Sequence, residues 1–151
     1  MKTHSIAVAL CALSALAASS PAGASGSQPD FSRICGAGVL RGLYAFSATG
    51  YNVIGGAAIP KAITLTLRFN GDGTMTVPTA TIVVNGNTIP FPPNFAGTYS
   101  VEWDCTGKVQ FGPNAFNLVV APFGFEVYMN QTGNAPPALG VLQGTARRIS
   151  L

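Results

Sequence analysis

The chain has 151 residues, of which 48% are hydrophobic and only 9% charged, with a formal net charge of +3 and one histidine, His4. Its cations are scattered apart from the pair Arg147-Arg148, which excludes the basic stripe of a nucleic-acid surface. Beyond the N-terminal segment no run is long and apolar enough to cross a membrane as a helix, so no membrane span is expected in the mature chain.

The opening MKTHSIAVALCALSALAASSPAGASG reads as a secretory signal. Lys2 and His4 form the positive start, Ile6 to Ala18 is an uncharged apolar run, and Ala22-Gly23-Ala24 is a small-x-small cleavage site. Cleavage after Ala24 gives residues 1–24 as signal peptide, 25–34 as a flexible Gly/Ser-rich leader and 35–151 as one β domain, secreted or periplasmic. Loss of the signal removes Lys2, Cys11 and the only histidine, and lowers the formal charge from +3 to +2. A mature chain without histidine has no Ser-His or Cys-His nucleophile pair, no histidine metal ligand and none of the commonest general base. Two remaining cysteines are too few for a cysteine-rich zinc site. No metal and no cofactor is expected.

Along the mature chain, strand signals alternate with turns and helical periods are lacking. Leu40–Thr49 is a first strand, with Leu40, Gly42, Tyr44, Phe46 and Ala48 on one face. Ala58–Phe69 is a second, alternating Ile59, Ile63, Leu65, Leu67 and Phe69 against Ala62, Thr64, Thr66 and Arg68. Asn70-Gly71-Asp72-Gly73 is a hairpin turn. Thr74–Asn85 is a third strand, with Pro78 marking an edge or bulge. A turn at 85–87 leads to a short strand near Thr88–Phe91. Gly97–Trp103 and Lys108–Phe111 form a hairpin, Phe116–Ala121 and Phe123–Gln131 another, and Leu139–Ile149 closes the chain. Eight or nine short strands in meander order predict an all-β, antiparallel up-and-down β-barrel of about eight strands; the alternative is a two-sheet β-sandwich.

Cysteine is an unusual choice for the turn in TYSVEWDCTGKVQF, residues 98–111, because turns favour Gly, Asn and Asp. An even pair in an exported chain predicts a Cys35–Cys105 disulfide that pins the N-terminal lead-in to one end of the barrel. The pair lacks a Cys-x-x-Cys spacing, so its expected role is structural.

The segments CGAGVLRGLYAFSATG (35–50), FNGDGTM (69–75), GTYSVEWDCTG (97–107) and GVLQGTARR (140–148) resemble a group of small secreted bacterial proteins, mostly uncharacterised. The resemblance implies a fold similar to the calycin-like barrels, including the allene oxide cyclase and dirigent type. It covers most of the mature chain, but its motifs belong to turns and strands and carry over no catalytic residue of the cyclases. Gly42-Leu43-Tyr44 also has tyrosine where the lipocalin signature has tryptophan.

Three catalytic candidates stand out: Glu102, Glu126 and Tyr128. Each glutamate alternates with large apolar neighbours. The plain reading sends both to solvent while Tyr99, Val101, Trp103, Phe125 and Val127 fill the core; the other turns Glu102, Glu126 and Tyr128 into a lumen, where a desolvated carboxylic acid could serve as acid or base. Tyr44 and Phe46, with Phe91 and Phe95 in the proline-stiffened IPFPPNFAG (89–97), are the candidate ligand-binding residues. They either line a site for a small apolar ligand at the barrel mouth or pack the barrel itself. Three functions follow: a barrel binding a small apolar molecule in its mouth or lumen, a cofactor-free cyclase or isomerase of the allene oxide cyclase type, or a solidly packed structural or surface-interaction protein.

Overall fold

The computed structural model describes residues 35–133 and 139–151; the signal (1–24) and leader (25–34) lie outside the described residues. Ten strands follow a 3-10 turn at Ala37–Val39: β1 (Arg41–Ile54), β2 (Ala57–Asn70), β3 (Thr74–Val77), β4 (Ala80–Val84), β5 (Asn87–Ile89), β6 (Phe95–Val101), β7 (Thr106–Phe111), β8 (Asn114–Val120), β9 (Glu126–Gly133) and β10 (Leu139–Ser150). Every pairing is antiparallel. The order β1-β10-β9-β8-β7-β6-β3-β2 closes on itself through β1–β2. The protein is therefore an eight-stranded up-and-down barrel with β4 and β5 as two additional strands, and not a sandwich.

Pro78 lies at the fork. It lacks the N–H that a continuous ladder requires, and the predicted third strand divides there. Val77 pairs with Phe95 inside the barrel, whereas Ala80–Val84 moves to the Leu65–Lys61 stretch of β2 and carries β5 on its far side. The step is held by Thr66 N–H donating to the Thr79 carbonyl at 2.9 Å.

The alternation read from β1 and β2 sets the interior. Tyr44, Phe46, Ala48, Ile63, Leu65, Leu67 and Phe69 are all buried, and are joined by Met75, Tyr99, Val109, Phe111, Phe116, Leu118, Val127 and Met129. Aromatic rings meet edge to face, Tyr44 to Phe69 at 5.2 Å, Phe69 to Tyr99 at 4.8 Å and Phe46 to Phe116 at 6.1 Å, while Phe116 stacks on Phe111 at 5.5 Å. Edge-to-face pairs of this kind add to simple area burial. The small residues do not open space for a guest. A Cβ on Gly42 would collide with the Ser150 carbonyl, and one on Gly144 would collide with Ala48. Both glycines let β1 and β10 approach closely where the barrel closes.

Two hairpin turns repeat one device. Asp72-Gly73-Thr74 and Asp104-Cys105-Thr106 each place an Asp Oδ1 to accept from the Thr backbone N–H, at 2.9 and 3.0 Å, and from the Thr hydroxyl, at 2.6 and 2.7 Å. The middle residue is left-handed in both, with φ 92° at Gly73 and 66° at Cys105. Glycine is the ordinary occupant of such a position. Cys105 replaces it and bridges to Cys35, with Cα atoms 5.0 Å apart. Asn70 also belongs to its turn, donating to Thr74 Oγ1 at 2.8 Å.

With 70 residues separating the two cysteines, reduction of the bridge is expected to lower stability by about 4 kcal/mol in the loop-entropy model, measured by denaturant titration with and without reductant. In a Cys35→Ala background, Cys105→Gly is expected to be more stable than Cys105→Ala by about 1 kcal/mol, because only glycine accepts the left-handed backbone without steric cost. Equal midpoints for the two variants would remove that explanation. The carboxyls of Asp72 and Asp104 are held below their ordinary value of 3.8, first by the Thr74 and Thr106 hydroxyls and then by the same threonines' N–H groups. Their contribution is complete above the unfolded value and is lost as pH falls through the lower folded one. Acid titration of stability should therefore decline from about pH 4 downward, and Asp72→Asn with Asp104→Asn should flatten that decline.

Candidate functional site

The lead-in Cys35–Leu40 crosses one end of the barrel and closes it. Leu40 is completely buried. Before it, Ala37 and Val39 are half-buried and Gly38 is exposed, and the carbonyls of Ala37, Val39 and Leu40 are all met by side-chain donors. The Tyr99 hydroxyl lies 2.8 Å from the Ala37 carbonyl and 2.9 Å from that of Leu40, and itself accepts from Gly71 N–H at 2.9 Å. Burial pushes its pKa up, so it remains a donor. Arg148 supplies the Val39 carbonyl through Nη2 at 3.0 Å.

The same guanidinium fixes the β8–β9 connection. Its Nη2 also reaches the carbonyls of Phe123 at 3.2 Å and Gly124 at 3.1 Å, and its Nε donates to the Tyr44 hydroxyl at 3.0 Å. Tyr44 in turn donates to the Gly124 carbonyl at 2.6 Å. Gly124 is irreplaceable for two reasons: its φ is +65° and a Cβ would strike the Val39 carbonyl. Phe123 is left-handed as well, with φ 61° and ψ 10°, a conformation that is a genuine outlier for a bulky residue. Its ring is nonetheless 63% exposed, and that of Phe125 is 60% exposed. The two ring centroids are 6.4 Å apart, and the Arg148 guanidinium stands 5.2 Å from the centre of the Phe125 ring. Ile149 and Leu151 border the same depression beside Phe125 and Arg148, and both are exposed. Trp103 projects from the β6–β7 turn at this end of the barrel and is 70% exposed.

The predicted burial of Trp103 and Phe125 is thus corrected. β6 stops at Val101. Glu102 N–H then bonds the Thr106 carbonyl, and Cys105 N–H bonds that of Glu102, so Trp103 lies inside a turn where alternation no longer holds. Phe125 follows a 3-10 turn and is itself αR (φ −72°, ψ −28°), which turns its ring outward before β9 begins. Tyr99, Val101 and Val127 fill the core as the alternation requires.

The lumen reading of the catalytic candidates is corrected too. Glu102 is exposed in its turn, and Tyr128 is 52% exposed on the outer face of β9. Glu126 also faces outward and pairs with Arg147 at 3.3 Å. The structure brings none of the three into the interior, because inward positions on β6 and β9 belong to the apolar residues between them. Of the ligand-site candidates, Tyr44 and Phe46 are buried in the packed core. Phe91 and Phe95 contact each other at 5.4 Å and pack on the core at the opposite end. The first-strand aromatics and the 89–97 loop therefore do not frame an open mouth between them: Tyr44 and Phe46 fill the core, while Phe91 and Phe95 are half-buried at the opposite end. No sequence signal marked Phe123, whose importance rests on a backbone angle; Arg148 was visible only as half of a basic pair.

No protein-family model, no curated protein and no solved structure matches the chain.

Because Trp103 is the only tryptophan, the folded protein should emit at a water-like wavelength and be readily quenched by iodide. A blue-shifted, protected emission would contradict its placement in the turn.

Proposed function

We propose that this chain is an exported recognition protein that engages the apolar surface of a protein partner through the aromatic rim of its plugged end. One observation carries the reading: Phe123 is held in a left-handed conformation by Arg148, in a network shared with Tyr44, although its ring gains little burial. Backbone strain of this kind persists only where the surroundings over-determine it and tends to mark functional sites. Rigid aromatic side chains presented from such a frame are efficient anchors, since little freedom is left to lose on association. Charges at this end are mixed, with Arg41 and Arg147 beside Asp72, Glu102, Asp104 and Glu126. That balance favours an apolar protein surface over an anionic lipid or nucleic acid. Export is supported by the signal-like N terminus and is compatible with the disulfide.

Phe123→Gly separates strain from function. Glycine relaxes the left-handed backbone, so the variant should melt higher, corresponding to a gain of about 1 kcal/mol. Its partner binding should fall at least tenfold, and Trp103→Ala should weaken binding without lowering the melting temperature. The measurement uses the immobilised wild-type protein against surface proteins of its host, followed by titration of whatever is specifically retained. Retention unaffected by both substitutions, or no saturable partner at all, would defeat the reading.

A further inference from the structure

A second surface, on the side of the barrel rather than its end, has a composition that the fold does not require. Asn117 on β8, Asn130 on β9, Gln143 on β10 and Thr49 on β1 are direct cross-strand neighbours in one row, and all four are exposed. Lys108 and Ser100 continue the row on β7 and β6. Asparagine is among the residues that strands avoid, yet two face each other here in mid-strand. Among the described residues, the side chains of Asn117, Asn130 and Gln143 form no hydrogen bond to one another or to the backbone, so the row does not stabilise the sheet in that way.

The neighbouring row places Tyr128 between Val119 and Thr145, with its ring 52% exposed. At the β1 end, Tyr51 and Val141 stand over Pro60 and Val83 in a shallow groove that Thr49 and Gln143 also border. At the other end, Asn117, Lys108 and Ser100 border a second depression.

We infer that this outer face of β8-β9-β10-β1 binds a neutral glycan chain lying across the strands. A sugar ring presents hydroxyls that both donate and accept, and a C–H face that is apolar. A carboxamide offers both a donor and an acceptor on one side chain, and a half-exposed tyrosine offers an apolar ring face with a wet hydroxyl. The amides repeat at the strand spacing of about 4.8 Å, so a chain running perpendicular to the strands meets a fresh hydrogen-bonding group at each step. The row itself carries no carboxylate and one cation, Lys108; the depressions at its two ends add one cation, Lys61, and one carboxylate, Glu102. Charge over the face is therefore sparse and of both signs, which matches an uncharged polymer rather than an acidic one. This surface is independent of the aromatic rim.

Affinity electrophoresis in native gels containing dextran, hydroxyethyl cellulose or galactomannan, with alginate as the acidic comparison, tests the inference. The wild-type protein should be retarded by at least one neutral polysaccharide. Asn117→Ala with Asn130→Ala should weaken that retardation at least tenfold at unchanged melting temperature, and Tyr128→Ala alone should weaken it as well. Phe123→Gly should leave it intact, which separates this surface from the rim. Retardation by none of the neutral polymers, equal retardation of the double variant, or stronger retardation by alginate would overturn the inference.

Discussion

Residues 37–40 carry three carbonyls into the closed end of the barrel, and the demand that each be hydrogen-bonded organises this part of the molecule. From β6 the single hydroxyl proton of Tyr99 lies within reach of the Ala37 and Leu40 carbonyls, of which Ala37 also accepts from Leu40 N–H at 3.2 Å, and Arg148 serves Val39 from β10. The disulfide holds the lead-in where these donors can reach it, and the β2–β3 turn is tied to the same site through Gly71. A buried carbonyl such as that of Leu40 costs on the order of 1–3 kcal/mol when deprived of its partner, so the plug is sustained by specific groups as well as by the burial of the Leu40 side chain.

Arg148 connects that structural task to the surface. Having extended into the end of the barrel to satisfy Val39, its guanidinium also meets the carbonyls of Phe123 and Gly124 and the ring of Phe125. The conformation that presents the aromatic rim is thus stabilised from beneath by a side chain with an independent reason to be there. The structural role and the proposed recognition role share one cation, which also bonds the buried Tyr44 hydroxyl.

Much of this architecture was legible in the sequence because strand alternation is a local property. The faces of β1 and β2 and the turns at 70–73 and 85–87 followed from adjacent residues; Pro78 was marked as an edge or bulge of one strand, not as the division into two, and the cysteine pairing followed from their even number in an exported chain. Alternation failed where the chain left the strand: Trp103 and Phe125 occupy inward phases by count, but they sit in a turn and an αR residue. The site was less legible than the fold. Tyr44 and Phe46 were correctly assigned to one face with Gly42 and Ala48, but whether small residues open a cavity or admit a neighbouring strand depends on β10, a hundred residues away in sequence. The left-handed angle of Phe123 has no signature in residue type, since phenylalanine is among the residues least suited to it. The Asn117–Asn130–Gln143 row exists only once the register of three strands is known.

The seam between β1 and β10 joins the first strand of the barrel to the last, pairing Leu43 with Ser150 and Val53 with Leu139. Until the final dozen residues are in place, the barrel is an open ribbon with β1 and β9 as unpaired margins in addition to the free edge of β5. Open margins are templates for association with other chains, and closure between such distant segments is entropically slow. The most aggregation-prone stage in the life of this protein is therefore the interval in which its chain is nearly complete, and a truncation that removes only the last strand would make that interval permanent.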